Sequence, residues 1–401
     1  MYYNWIGDKM ERIIMHIDVN NAFLSWTAIY LLKHGSKYDI RNSYAVIGGD
    51  ESKRSGIVLA KSNPAKKLGI KTAETLYEAR KKCKVLKTYP PNFEFYEEMS
   101  NKLFELISKY TQDIEVASVD ECYIDYTPVK KLHGEELEFA RKLQKEIYDT
   151  LGFTVNIGIA NNKLCAKMAS DFTKPYKIHT LYNHEIQEKM WPLKVGELFG
   201  IGKKTEEKLN ELNIFTIKDL ALSNIETLST KFKNQSILMI NAANGIDITP
   251  VISNKVEPKG IGTEITLEHN ITYKEDLYKV LLQLSEKIGT RLRDENKYTS
   301  LITVVLKTNK LKRYSHQKKI NVPINTNIEI YQISKNILDE MNIDEPIRLI
   351  GIRLNKLKDK KIEQVSIFDE TIKKEENIDK IIDEINKKYG NIITKATLIN
   401  K

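Results

Sequence analysis

Hydrophobic positions along the chain fall into short bursts with recognisable periods. Residues 13–19 (IIMHIDV) form a short, β-branched apolar run, which predicts a buried strand. Met99, Leu103, Ile107 and Tyr110 share one face at helical spacing, and Pro90 and Pro91 punctuate the approach, so a helix is expected over 93–110. Strands are expected over 114–119 and 122–126, a helix over 134–151, and a strand over 153–160, where Phe153, Val155, Ile157 and Ile159 alternate with other residues. The order is β-α-β-β-α-β, the split βαβ arrangement. Roughly residues 25–89 separate its first strand from its first helix and read as a small inserted domain, rich in lysine and helical pattern. From 182 to about 254 the pattern breaks into short helical pieces, and 251–259, with Pro250 before it and Pro258 inside it, reads as a linker. Beyond it the same order returns: strand 260–267, helix 274–295, strands 299–307 and 312–322, helix 327–341, strand 347–354. After 358 comes a charged tail in which Ile378, Ile381, Ile382 and Ile385 make an apolar stripe on a short helix. The expected fold class is α+β.

Composition narrows the class. A chain of 401 residues and 46.4 kDa is expected to hold about two to four domains. A hydrophobic fraction of 41% excludes wholesale disorder, and no run of eighteen apolar residues occurs to span a membrane. The opening MYYNWIGDKMERIIMHID lacks a signal-peptide layout. Cys83, Cys122 and Cys165 are scattered without a CxxC pair, which argues against a disulfide framework or a cysteine zinc site and points to a reducing cytoplasm. The net charge of +9 suits a polyanionic partner without requiring one.

The candidate chemistry centres on Ser118, Val119, Asp120 and Glu121, between two expected strands. At a tight turn both carboxylates can reach one space. In a split βαβ sheet the first and third strands are neighbours, so Asp18 can face them. Each acid taken singly is an ordinary turn or surface acid. Together on adjacent strand ends they would repel each other unless a divalent cation sat between them. Hard oxygen ligands select Mg²⁺ or Mn²⁺ over zinc. Two such ions about 4 Å apart would clamp an in-line phosphoryl displacement.

Other clusters add cations. Residues 161–171 are expected to begin a helix after a strand, with Lys174 and Pro175 at its end, where a lysine suits the helix dipole or, alternatively, a triphosphate. Phe199, Gly200, Ile201 and Gly202 precede a short helix as in a helix-hairpin-helix, whose free N–H groups bind phosphate, with Lys203 and Lys204 adding charge. Residues 307–319 hold Lys307, Lys310, Lys312, Arg313, Lys318 and Lys319 and no acid. Strand-edge lysines also guard against aggregation, but a one-signed strip suits a phosphate backbone. Gly48, Gly49, Asp50, Glu51 and Ser52 nearly spell a diguanylate cyclase signature, but they lie in the inserted segment and read as a turn.

These residues resemble the Y-family translesion DNA polymerases of the DNA polymerase IV and UmuC-like type, over nearly the whole chain to about 358. The resemblance rests on Asp18 to Phe23 (DVNNAF), Ser118 to Glu121, residues 161–175 and the 199–202 hairpin, in the family's order and spacing. It implies a right-hand architecture. The palm would be 12–25 with 89–180, and the fingers 26–88. The thumb would be 181–250, the linker 251–258, the little finger 259–357 and the tail 358–401. It implies that Asp18, Asp120 and Glu121 bind metal, that Val19 ligates through its backbone carbonyl, and that Phe23 is a steric gate excluding a ribose 2′-OH. Lys66 and Lys174 match triphosphate contacts. Asn63 stands where many relatives place a tyrosine beside the triphosphate, a departure from the family's pattern at that contact. Ser118 supports the turn. Gln364, Val365, Ser366, Ile367 and Phe368 resemble the bacterial sliding-clamp peptide.

The implied function is low-fidelity, template-directed DNA synthesis past damaged bases, without a proofreading nuclease. Its implied cofactors are two Mg²⁺ ions, with Mn²⁺ as a substitute. Its implied partners are primer–template DNA, dNTPs and the sliding clamp, and a cytoplasmic monomer is expected. Two rivals stand beside it: a non-catalytic DNA-binding accessory factor, and a palm-domain nucleotide cyclase. Primer extension with and without template separates the three.

Overall fold

The computed structural model describes residues 11–50, 56–254, 257–342, 344–359, 369–390 and 393, with backbone alone over 369–376. Two compact units make up the chain: Met1–Gly49 with Ile57–Lys255, and Val256–Lys401 with Asp50–Gly56. Among the described residues, no helix is long and apolar enough to cross a membrane.

The larger unit opens with β1 (Ile14–Val19), α1 (Ala22–Lys33), β2 (Ala45–Gly48), β3 (Val58–Lys61), α2 (Asn63–Lys67), α3 (Leu76–Lys82), β4 (Lys87–Tyr89) and α4 (Phe93–Ser108). It continues through β5 (Ile114–Val116), β6 (Glu121–Asp125), α5 (Lys130–His133), α6 (Glu136–Leu151), β7 (Val155–Ala160), α7 (Lys163–Asp171) and β8 (Ile178–Leu181). Four short helices follow: α8 (Lys203–Asn210), α9 (Ile217–Ala221), α10 (Ile225–Phe232) and α11 (Gln235–Ala243).

The main sheet has the order β5-β6-β1-β7-β8, with β1 antiparallel to both β6 and β7. The expected neighbours, first and third strands of the split βαβ unit, are thus adjacent. The pattern did not announce β8, which pairs parallel with β7 and holds only two large apolar residues. All six residues of β1 are buried because the sheet is covered on both faces. Met15, Ile17, Cys122, Ile124, Ile157 and Ile159 pack under α4 and α6, with Met99, Leu103, Leu143 and Ile147. Each such side chain contributes about 1.5–3 kcal/mol when fully buried. The alternate residues, Ile14, Tyr123 and Ala160, face α7 and the short helices.

Gly158 sets the distance on that second face. A Cβ there would lie 2.0 Å from the Ala166 carbonyl oxygen and 2.5 Å from the Ser170 amide nitrogen, so only glycine lets α7 lie this close to β7.

The inserted segment is less helical than its pattern suggests. It carries a three-stranded sheet, β3-β2-β4, on which Ala65, Leu76 and Ala79 of α2 and α3 pack against Val46 and Val58. Its strands have four residues or fewer, too short to show a period of two. The expected linker also begins attached: Val251 packs against the core and the Ile252 amide donates to Glu115 at 2.8 Å.

The smaller unit contains β9 (Gly260–Ile271), α12 (Lys274–Asp294), β10 (Tyr298–Thr308), β11 (Arg313–Ile324), α13 (Asn327–Glu340), β12 (Ile347–Lys358) and α14 (Asp369–Tyr389). The element order repeats that of the larger unit, as expected, but the sheet does not. Its order is β11-β10-β12-β9, so the first strand lies at an edge here and at the centre there. Sequential order fixes the crossovers, not which strand is enclosed.

The tail helix α14 is held only in part by its isoleucine stripe, of which Ile382 and Ile385 are half-buried. Ile378 and Ile381 are exposed, while Asp379 is 1% exposed. Asp379 accepts from the Asn327 amide at 2.8 Å, and Asp383 accepts from Arg293 Nε at 2.6 Å. The docked face mixes Ile382 with these two aspartates, which are anchored on a buried arginine of α12.

Candidate functional site

Asp18 is the penultimate residue of β1, and the register pairs it with Glu121, the first residue of β6. The strand expected over 114–119 stops at Val116, so Asp120 belongs to the turn while Glu121 belongs to the sheet. The Val19 amide donates to the Asp120 carbonyl at 2.9 Å and closes the turn against β1. Ser118 Oγ donates to Asp120 Oδ1 at 2.7 Å, so the serine does support the turn.

The three acids are close but not equivalent. His16, Asp18 and Glu121 offer ligand atoms within 4.8 Å of one another, a group that does not include Asp120. Burial raises the pKa of Asp120, and the charges of Asp18 and Glu121 add to that, against the Ser118 hydrogen bond. Glu121 is held down at about 2, first by His16 and then, against burial, by Lys167. His16 Nε2 stands 3.1 Å from Glu121 Oε2, near but poorly aligned for a hydrogen bond, and His16 Nδ1 lies 2.8 Å from Ser170 Oγ. Burial lowers the His16 pKa, against the opposing pull of Glu121 and Asp18.

Two lysines complete the electrostatics. Lys167 Nζ donates to Glu121 Oε2 at 2.7 Å and to Asp18 Oδ2 at 3.1 Å. Lys174 Nζ donates to Asp18 Oδ2 at 3.0 Å and pairs with Asp171 Oδ1 at 2.8 Å. Burial works to lower both lysine pKa values, but the surrounding carboxylates outweigh it and raise them. Lys174 lies beyond α7, which ends at Asp171, so these carboxylates rather than a helix terminus hold its charge. Oxygen donors of Asp18 and Glu121, with Asp120 beside them, fit a hard divalent cation. Lys167 already bridges two of these acids as a counter-cation.

Next to this cluster is a cavity of about 260 Å³ lined by Asn20, Asn21, Arg41, Lys61, Asn63, Lys66, Thr154 and Lys174, among others. The expected triphosphate residues Asn63, Lys66 and Lys174 therefore share one space. A larger cavity of about 860 Å³, beside Ile13 and Tyr182, lies toward the other end of β1 and takes none of the expected site residues. Phe23, in the first turn of α1, is half-buried and stacks on Tyr96 at 4.7 Å between centroids, with Phe93 edge-on at 6.1 Å.

The remaining basic residues lie elsewhere. Gly200 has φ +93°, which demands glycine, and an added Cβ at Gly202 would meet nothing within 4 Å. Lys203 and Lys204 are exposed in the first turn of α8. Folding gives the 307–319 strip the acids its sequence lacks. Glu345 pairs with Lys310 and Lys312, Glu264 with Arg313, and Glu340 with Lys318. Lys307, Arg313 and Lys319 alternate onto the sheet face away from the helices, since their register partners flank the core residues Ile302, Val304 and Leu306. Gln364, Ser366, Ile367 and Phe368 lie outside the described residues.

Sequence reasoning assigned no role to His16, Lys61, Arg41 or Lys167. Two left a signal: His16 lies two residues before Asp18, on the same strand face, and Lys167 lies four after Lys163 and four before Asp171, on one helix face. Lys61 stands in a lysine-bearing run, 56–69, that offers further cations but usually marks a solvated face, and Arg41 left no signal, because only the fold brings the inserted segment to α1.

Comparisons with known proteins bear on the chain as a whole. The model described as the impB/mucB/samB family matches residues 17–171. Its C-terminal domain matches 258–367, and its HHH motif 183–214. The chain is 47% identical to a protein of Clostridium acetobutylicum named DNA polymerase IV, covering 98% of this chain and 99% of that one. It is 36% identical to DNA polymerase IV of Alkaliphilus oremlandii, covering 98% and 100%. A solved Y-family DNA polymerase chimera superposes with a TM-score of 0.75 at 26% identity, covering 86% of this chain and 99% of that one. Likeness sustained from end to end, in sequence and in fold, places the chain in the impB/mucB/samB family of Y-family DNA polymerases.

Proposed function

We propose that this chain extends a DNA primer along a template, past damaged bases, by joining the primer 3′-OH to the α-phosphate of a dNTP with release of pyrophosphate. One observation carries the reading: the cross-strand acids Asp18 and Glu121, with Asp120 in the adjoining turn, are joined through the Asp18–Lys174 pair to a cavity whose charged lining is entirely cationic. Asp18, Asp120, Glu121 and the Val19 carbonyl would hold two Mg²⁺ ions, with Mn²⁺ as a substitute. Bound there, such ions supply a lower pKa for the attacking hydroxyl and positive charge for the leaving oxygens. Lys66, Lys174 and Asn63 bind the triphosphate, Lys174 exchanging its hold on Asp18 for phosphate oxygens. Phe23, fixed by its stack on Tyr96, stands against a ribose 2′-OH. Family resemblance supports synthesis without a proofreading exonuclease.

Gly200, Gly202, Lys203 and Lys204 contact the DNA backbone, as do Lys307, Arg313 and Lys319 from the open sheet face. Lys310, Lys312 and Lys318 join them, these three and Arg313 by leaving their glutamate partners. Residues 364–368 bind the sliding clamp, and deleting them should weaken clamp-stimulated synthesis alone. The deciding experiment is Asp120→Ala, which should abolish primer extension while DNA binding persists. Extension at the normal rate would remove the metal assignment.

A further inference from the structure

The cavity beside Asn20 and Pro175 is lined by four cations, Arg41, Lys61, Lys66 and Lys174, and by no acid. Such a concentration of one sign attracts a polyanion. The four are not equally committed within the protein. Arg41 is fixed, its Nε on Asp39 at 2.9 Å and its Nη1 on the Gly152 carbonyl at 3.0 Å. Lys174 is tied to Asp18 and Asp171. Lys66 is exposed on α2.

Lys61 differs from all three. It closes β3, and its carbonyl accepts a hydrogen bond from Asn21 Nδ2, which pins the backbone beside α1. Its Nζ donates to a neutral group, Thr72 Oγ1, at 2.8 Å. The nearby Glu74 is taken by Lys82. Burial first, and then the like charge of Lys66, lower the Lys61 pKa, with Glu74 opposing. The half-buried ammonium therefore has a hydroxyl where an ion partner would be expected.

We propose that Lys61 is a further triphosphate-binding residue, whose ammonium leaves Thr72 Oγ1 for a non-bridging oxygen of the incoming nucleotide's polyphosphate. This deepens the polymerase reading and rests on it for the identity of the nucleotide. Two readouts on the full chain test it: KM and kcat for a dNTP in primer extension, and calorimetric binding of inorganic tripolyphosphate without DNA or metal.

Lys61→Met keeps the aliphatic stem and removes the charge. It should raise KM roughly ten- to a hundredfold, with kcat little changed, and weaken tripolyphosphate binding by a similar factor. Lys61→Arg should recover most of both. Thr72→Val, which frees the ammonium, should bind tripolyphosphate as well as wild type or better. Wild-type KM and tripolyphosphate affinity in Lys61→Met would overturn the proposal, as would weaker tripolyphosphate binding by Thr72→Val. A wild-type chain that binds tripolyphosphate through Lys61 yet extends no primer would support the binding role and overturn the polymerase reading instead.

Discussion

Replacing Gly158 by alanine tests how the site is built. Gly158 pairs with His16 across β1 and β7 and lies directly beneath α7. The added Cβ would sit 2.0 Å from the Ala166 carbonyl oxygen and 2.5 Å from the Ser170 amide nitrogen, whereas real Cβ contacts stay at or beyond 3.0 Å. Both obstacles are backbone atoms in a hydrogen-bonded helix, so no side chain can swing aside. The helix must lift by about 1 Å from a close-packed face. Forced overpacking of this kind costs about 1–3 kcal/mol. At the middle of that range, a unit of this size should lose roughly 4–8 °C in Tm. The same lift lengthens the 2.7 Å and 3.1 Å bonds from Lys167 to Glu121 and Asp18. It also moves Ser170 away from His16, which it contacts at 2.8 Å. A displacement of about 1 Å at a reacting centre costs on the order of a hundredfold in rate. Calorimetry and single-nucleotide primer extension on the full chain measure the two effects. Gly158→Ala melting within about 1 °C of wild type would refute the packing argument. A lowered Tm with wild-type extension would refute the coupling of α7 to the acids.

Three other outcomes are expected. Phe23→Ala should cut discrimination against ribonucleotides at least about tenfold in competitive incorporation, as removal of a steric block does; unchanged discrimination removes the gate role. Arg293→Met leaves Asp379 and Asp383 facing each other without their cation, so the smaller unit should lose about 3 kcal/mol in urea titration. Amides of α14 should then exchange faster, and wild-type exchange would show that this clasp does not hold the helix. Glu121 is depressed from 4.5 to about 2, so it contributes stability that is full above pH 4.5 and fades as pH falls toward 2. Wild type should therefore lose stability more steeply than Glu121→Gln across that window, and parallel curves would refute the assignment.

Local pattern determined a good deal about this protein. The β-branched run before Asp18 and the amphipathic face of Met99, Leu103 and Ile107 were legible because each depends on neighbours in the chain. The turn at Asp120 was legible too, but not its bounds, since the strand before it stops at Val116 and Glu121 belongs to the next strand. The pairing of Asp18 with Glu121 was also legible, because a split βαβ unit makes its first and third strands adjacent. Tyr110 marks the limit of such reading: it follows the expected stripe but lies past the end of α4 at Ser108.

What depended on distant segments was not legible. The edge position of β9, the strand β8 and the sheet in the inserted segment arise from which elements find each other, and short strands carry no period of their own. The tail helix showed its isoleucines in sequence, yet Arg293, ninety residues before Asp383, decides which face is buried. The 307–319 strip is free of acids only along the chain; Glu264, Glu340 and Glu345 reach it across the fold. The same holds at the site. Sequence supplied the acids and two of the cations, because those sit in motifs with fixed spacing. Tertiary structure placed Lys167 between the acids and brought Lys61 and Arg41 to the cavity. Charge acts through space over several ångströms, and only the folded chain sets those distances.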